Sequence, residues 1–271
     1  MRASQVLDAL WHDYTANTPQ AALIHQLLTA RGERIVNDHI ALRSFGGFAG
    51  HAGVGIADVQ RSFTATGWEA RDSYAFADKH LVARYWQHPD PALPKVFISE
   101  LEVDKLSASA RTIIAELLAQ LPADFATRTD VAWAGRPWQV THRQYTELLA
   151  ESEYAAWLAA FGFRVNHFTV DVNQLKTFDS LAALNNFLME HDIALNRAGG
   201  LVKGNPTERL EQSSTMAAPI EVHFSDGVFK IPSCYYEFAK RYPLPNGDMF
   251  QGFVPASANK LFESTNQHRF D

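Results

Sequence analysis

The sequence predicts an α+β fold in which two duplicated βαβββ modules form a curved, barrel-like mixed sheet, with a helical segment inserted between them and helices at the N-terminus. Three observations carry this expectation. Runs of β-branched and aromatic residues with period-2 alternation occur at 35–45, 68–76, 80–87 and 95–103. The same order of strand, helix and strands returns after residue 162, which reads as a long-range internal duplication. Between the two, from 104 to 161, apolar residues recur at helical spacing instead. All 271 residues are expected to form one structural domain: N-terminal helices at 1–34, a first module at 35–103, a helical insertion at 104–161, a second module at 162–255 and a tail at 256–271.

Taken in order, residues 3–30 read as two helices. Ser4 can cap the first, and Thr18-Pro19 gives the second a cap followed by proline at its first position, where the missing N–H costs nothing. Gly32 ends it. After the strand at 35–45, Gly46-Gly47-Phe48-Ala49-Gly50-His51-Ala52-Gly53 is a flexible loop, and 55–66 is an amphipathic helix carrying Val59 and Phe63 and stopped by Gly67. The insertion places Leu106, Ile113, Leu117 and Leu121 on one stripe and Leu148, Trp157, Leu158 and Phe161 on a later one. The second module then reads as a strand at 163–172, a helix near 178–190, and strands near 193–197, 209–216, 219–224 and 228–241, with Ser225-Asp226-Gly227 as a hairpin turn.

A composition of 46% hydrophobic and 20% charged residues suits a globular chain with a sizeable core. With a formal net charge of -6, a pI near 6.0 and no basic block, there is no electrostatic reason to expect nucleic acid. Cys234 is the only cysteine, which excludes an intrachain disulfide, a thiolate zinc cluster and an iron–sulfur site from this chain alone, and fits a reducing cytoplasm. Asp8 and His12 interrupt the apolar positions near the N-terminus, so no signal peptide is expected. No window approaches the roughly 18 apolar residues of a membrane span.

Three stretches carry chemistry. In Val36-Asn-Asp-His-Ile-Ala-Leu-Arg-Ser-Phe45, alternation puts His39, Ala41 and Arg43 on one face and Ile40, Leu42 and Ser44 on the other. At about 3.3 Å per residue the His39 and Arg43 α-carbons lie roughly 13 Å apart, room for a metal ion at one end and a short dicarboxylate beside it. Phe163-Arg-Val-Asn-His-Phe-Thr-Val-Asp-Val172 echoes the first stretch, with His167, Thr169 and Asp171 sharing a face. In Ile231-Pro-Ser-Cys-Tyr-Tyr-Glu-Phe-Ala-Lys-Arg-Tyr242 the shared face carries Ser233, Tyr235, Glu237 and Ala239. A carboxylate in the middle of such a run is expensive to bury unless it is paired or binds a metal. Two imidazoles and one carboxylate make the facial set of a non-haem iron(II) oxygenase, with zinc or nickel as adventitious substitutes.

The segments Asp38-His39 through Arg43-Ser44-Phe45, Asn166-His167-Phe168-Thr169, Gln212-Ser213-Ser214-Thr215 and Tyr235-Tyr236-Glu237-Phe238-Ala239-Lys240-Arg241 carry a resemblance that covers about residues 5–255. Their layout resembles the vicinal oxygen chelate fold. Their motifs are similar to the family first catalogued as a domain of unknown function numbered 1338, associated with 2-oxoadipate dioxygenase/decarboxylase (hydroxyglutarate synthase). The Tyr-Glu-Phe-Ala-Lys-Arg run also resembles the carboxylate-bearing strand of hydroxyphenylpyruvate dioxygenase. The resemblance implies His39, His167 and Glu237 as Fe(II) ligands and Arg43 as the clamp on a substrate carboxylate, orienting it for catalysis. It implies a small 2-oxo acid and O2 as the reactants, with 2-oxoadipate giving 2-hydroxyglutarate and carbon dioxide. Gln212 and Ser214 offer neutral hydrogen bonds to such a substrate, and Tyr235, on the face of Glu237, can line its cavity.

Rival readings attach to the same residues. Glu237 could pair with Arg241 or Lys240, Glu100 in the last strand of the first module is a competing carboxylate, and Arg43 could be a plain salt-bridge partner. The scaffold also suits a metal-dependent isomerase or hydrolase, or a metal-free binding module. His12, His25, His51, His80, His88, His142, His191, His223 and His268 lack ligand spacing, with His80 and His223 the two to check. Gly53-Val-Gly55 lacks the third glycine of a dinucleotide fingerprint, and no phosphate loop, serine elbow or zinc-protease helix is present.

Overall fold

The computed structural model describes residues 2–265. Helices α1 (Ala3–Asn17) and α2 (Pro19–Ala30) meet at Thr18, with Pro19 opening α2 as expected and Gly32, at φ +85°, following its end. Ser4 lies inside α1 and does not cap it. The end is tied instead by the Arg2 N–H donating to Gln5 Oε1 at 2.8 Å.

The first module comprises β1 (Asn37–Phe45), α3 (Ile56–Val59), α4 (Arg61–Thr64), β2 (Glu69–Phe76), β3 (Leu81–Gln87) and β4 (Lys95–Leu101). The single helix expected over 55–66 is thus two short ones. The chain tightens at Gln60, whose carbonyl accepts the Phe63 N–H at 2.9 Å in a three-residue turn. The insertion contributes α5 (Ala108–Leu118), α6 (His142–Leu149) and α7 (Glu153–Phe161). Ser107, Thr141 and Ser152 cap them by accepting the N–H of Ala110, Gln144 and Ala155, each cap contributing about 0.5–2 kcal/mol.

The second module holds β5 (Val165–Asp171), α8 (Leu181–Glu190), β6 (Lys203–Asn205), β7 (Leu210–Ser214), β8 (Pro219–Phe224), β9 (Gly227–Pro232) and β10 (Tyr235–Arg241), and α9 (Pro255–Leu261) follows. Two expected strands are corrected here. Residues 193–197 make only an isolated bridge, Leu195 to Thr215, because Asn196 turns the chain by accepting the Ala198 N–H at 2.9 Å. The run 228–241 breaks at Ser233-Cys234: β9 stays in a hairpin with β8, while β10 enters the main sheet. Part of the predicted tail is helical, and its last six residues, 266–271, lie outside the described residues, as does His268.

The eight-stranded sheet runs β2-β3-β4-β1-β5-β10-β7-β6. β1 and β5 are antiparallel at its centre, and each has a parallel partner on its outer side, β4 for β1 and β10 for β5. The expected duplication is therefore a two-fold arrangement, with the β8–β9 hairpin as an addition to the second half. One sheet face is apolar and packs on α1 and α2, where Trp11 and Tyr14 each place a ring 4.9 Å from Phe168. Burying side chains of this size contributes about 1.5–3 kcal/mol apiece. The opposite, concave face carries the polar residues, and α9 lies across it. No helix among the described residues is long and apolar enough to cross a membrane.

Candidate metal centre

Register brings the three candidate ligands together. Ala41 of β1 lies opposite His167 of β5, His39 lies opposite Thr169, and Thr169 in turn lies beside Glu237 of β10. His39, His167 and Glu237 thus come from three adjacent strands, all inward and all buried, with one ligand atom from each within 4.8 Å of the others. His39 Nε2 is 3.5 Å from Glu237 Oε1, and His167 Nε2 is 3.3 Å from Oε2. The imidazoles meet edge to face with centroids 5.7 Å apart, so both Nε2 atoms can address one point.

The flanking groups hold those nitrogens ready. His39 Nδ1 is 2.7 Å from Asp38 Oδ1 and His167 Nδ1 is 3.2 Å from Asn166 Oδ1, so in each ring Nδ1–H donates and the Nε2 lone pair is left for the centre. Asp38 is held by Arg241, which donates from Nε at 2.6 Å and from Nη2 at 2.9 Å, with Lys95 at 3.9 Å. Against the cost of burial, these cations keep the Asp38 carboxyl well below the usual range. Gln212 Nε2 donates to Glu237 Oε1 at 2.6 Å, and the Thr169 hydroxyl lies 3.1 Å from His39 Nε2.

Burial pushes the Glu237 carboxyl up to about 8 and both imidazoles down. With no cation, the trio favours its neutral forms. A divalent ion would return the glutamate to its anionic form, and the N,N,O donor set suits iron(II), zinc or nickel. The residues present therefore fit a metal.

Arg43 lines the same cavity together with Tyr235, Gln212 and the three candidate ligands. Its Nη1 donates to Glu153 Oε1 at 2.9 Å and Nη2 to Thr265 Oγ1 at 3.2 Å, its guanidinium stacks over Tyr154 and Trp157 at 4.8 and 5.0 Å, and its buried Nε has no partner. The salt bridge weighed as a rival role is present. It leaves one edge of the fork unused. The Tyr235 ring stacks on His167 at 4.4 Å, whereas Ser214, beside Glu237 in register, does not line the cavity and spends its hydroxyl on Ser264 at 2.8 Å.

The rival carboxylates and histidines are elsewhere. The two-fold arrangement matches Glu237 with Phe97, not with Glu100, since His39 pairs with Lys95 as His167 pairs with Tyr235. Glu100 accepts the Ile56 N–H at 2.7 Å, and Gly55 permits this because a Cβ there would meet Glu100 Oε2 at 2.2 Å. Arg241 serves Asp38, and Lys240 donates to the Asp179 carbonyl, so neither pairs with Glu237. His80 and His223 are exposed and outside the cavity. Sequence reasoning assigned no role to Asp38, Asn166 or Glu153, nor to Phe253, whose ring abuts His39 at 4.9 Å. A signal for the first two existed: an amide or carboxylate immediately precedes each candidate histidine.

Comparisons with known proteins show what the chain is similar to. The 2-oxoadipate dioxygenase/decarboxylase family profile matches residues 4–129 and 125–250. The chloroplastic 2-oxoadipate dioxygenase/decarboxylase of Arabidopsis thaliana is 33% identical over 281 residues, covering 93% of this chain and 74% of the plant protein. A crystal structure of the Oryza sativa hydroxyglutarate synthase in complex with 2-oxoadipate superposes with a TM-score of 0.90 at 31% identity, over 97% of this chain and 91% of that one. A Shewanella frigidimarina structure described as a candidate hydrolase is 46% identical with a TM-score of 0.86, over 94% and 98% of the two chains. A glyoxalase-superfamily protein from Ralstonia eutropha, 20% identical with a TM-score of 0.76 over 93% of this chain and 85% of that one, shares the fold.

Proposed function

The chain belongs to the 2-oxoadipate dioxygenase/decarboxylase family, and from that premise we propose that it is an iron(II)-dependent enzyme converting 2-oxoadipate and dioxygen to 2-hydroxyglutarate and carbon dioxide. The stoichiometry balances without a further reductant, since both oxygen atoms of dioxygen are accounted for in the two products. The observation that carries the reading is the convergence of two imidazoles and a carboxylate on one buried point, in a cavity that also receives an arginine with a free N–H.

His39, His167 and Glu237 would hold the metal, which when bound supplies the redox chemistry with dioxygen. The rest falls to this chain's residues. Arg43 binds the substrate carboxylate remote from the metal through its free Nε edge, and so sets which carbon faces the reacting centre. Gln212 keeps the Glu237 carboxylate oriented, while Tyr235 against His167 and Phe253 against His39 exclude water from the inner wall. The single thiol, buried Cys234, is compatible with a reducing cytoplasm.

The test is oxygen uptake by protein purified anaerobically and loaded with iron(II). Uptake matched by carbon dioxide release and 2-hydroxyglutarate formation is expected with 2-oxoadipate. Turnover of esters or amides without oxygen would instead establish the hydrolase reading that the Shewanella relative's description raises.

A further inference from the structure

The wall between two cavities runs through one ion pair. Arg43 lines the inner cavity, and Glu153, at the start of α7, lines an open outer cleft. The Arg43 side chain is 1% exposed and the Glu153 side chain 18%, so the carboxylate meets solvent while the guanidinium does not. A buried guanidinium needs a counter-charge and a fixed plane. Helix α7 supplies both: Glu153 takes Nη1 at 2.9 Å, and Tyr154 and Trp157 flank the plane at 4.8 and 5.0 Å. All three come from the helical insertion, outside both βαβββ modules. Nε alone is left without a partner.

We propose that Glu153 is a positioning residue for the reaction: by holding Arg43 from the outer side, it aims the unused Nε edge inward and makes the site selective for 2-oxo acids with a second, distal carboxylate. This rests on the proposed function. Two carboxylates can share one guanidinium because its five donors lie on separate edges of a rigid plane. Glu153 occupies the Nη1 side and, being open to the cleft, is screened by water, whereas the distal carboxylate occupies the dry side. Glu153 therefore does not compete with substrate for the same edge.

The test compares Glu153→Gln with wild type on two substrates of equal chain length, 2-oxoadipate and 2-oxohexanoate, which lacks the distal carboxylate. Losing the charge-assisted bond should raise KM for 2-oxoadipate about tenfold or more while kcat stays within about threefold. KM for 2-oxohexanoate should move less than about twofold, and iron content should not change. Glu153→Asp, which keeps the charge, should recover part of the preference, and serves as the variant if Glu153→Gln does not fold. A fall in KM for 2-oxoadipate would show that Glu153 competes with substrate, and equal shifts for both acids would show a merely structural role. Either result overturns the proposal. Calorimetric binding of the two acids to zinc-loaded protein separates this from the reaction itself. Lost binding preference in the variant of a protein that takes up no oxygen supports Glu153 and sinks the dioxygenase reading, whereas unchanged preference in an active enzyme sinks Glu153 alone.

Discussion

His39 Nδ1 lies 2.7 Å from Asp38 Oδ1, a contact between consecutive residues in which the smaller side chain dictates which nitrogen of the larger one is free. Arg241, 203 positions away, grips the same carboxylate with two donors. Asp38→Asn keeps the shape and removes the charge. We expect metal affinity to fall about 10–100-fold, the usual loss when the partner of a ligating histidine is changed. Competition against a chelator measures this. Unaltered affinity in a folded variant would mean that Asp38 serves only Arg241.

The centre itself is tested by Glu237→Gln. The carboxyl is raised by burial from 4.5 to about 8, so without metal it is neutral in the fold at pH values where the unfolded chain is already ionised. Its stabilising contribution is complete below about 4.5 and is lost as pH climbs toward about 8. Metal-free wild type should therefore lose Tm relative to Glu237→Gln across that window. Added metal should reverse the order, since a ligand at a hundred times its Kd adds about 2.7 kcal/mol to wild type only. A metal-induced rise in the variant equal to wild type would exclude Glu237 as a ligand.

Arg43→Lys retains a cation and loses the planar fork. The ion pair with Glu153 can survive, but the two-edged arrangement cannot. KM for 2-oxoadipate should rise by about one to two orders of magnitude with iron content unchanged, because the proposed interaction is one charge-assisted contact of about 1.5–3 kcal/mol. Steady-state kinetics beside metal analysis separates this from damage to the centre.

Cys234 is buried and its thiol is pushed up to about 11 by desolvation, with Sγ facing the Val165 carbonyl at 3.5 Å. Folded protein should react with an aromatic disulfide reagent far more slowly than a free thiol from pH 7 to 9, and release one equivalent promptly on denaturation. Rapid labelling of the native state would show that the start of β10 opens.

The two imidazoles, the glutamate and the arginine were legible chiefly through the family resemblance of their motifs, and secondarily because alternation is a local property: a strand that buries one face announces which side chains share it. Other features were not. Its place in the last strand of the first module made Glu100 the rival to Glu237, yet the parallel register of β4 on β1 sets Phe97 in the equivalent place and gives Glu100 to a backbone N–H at Ile56. Nor did helical periodicity distinguish the apolar stripe that runs into α7 from ordinary core, although Trp157 of that stripe, with the neighbouring Tyr154, carries Arg43. Residues 193–197 had strand composition, and a single Asn196 side-chain bond was enough to turn them.

By itself, the sequence determined the α+β class, the duplication, and the inward faces of three strands, since each follows from side-chain periodicity along a few neighbouring residues. Only the tertiary structure decided that His39, His167 and Glu237 meet at one point, that Asp38 answers to Arg241, and that Arg43 is held by Glu153. Those facts depend on how distant strands and helices register against one another. That register is set by the summed packing of the sheet and the inserted helices, a quantity no local pattern contains.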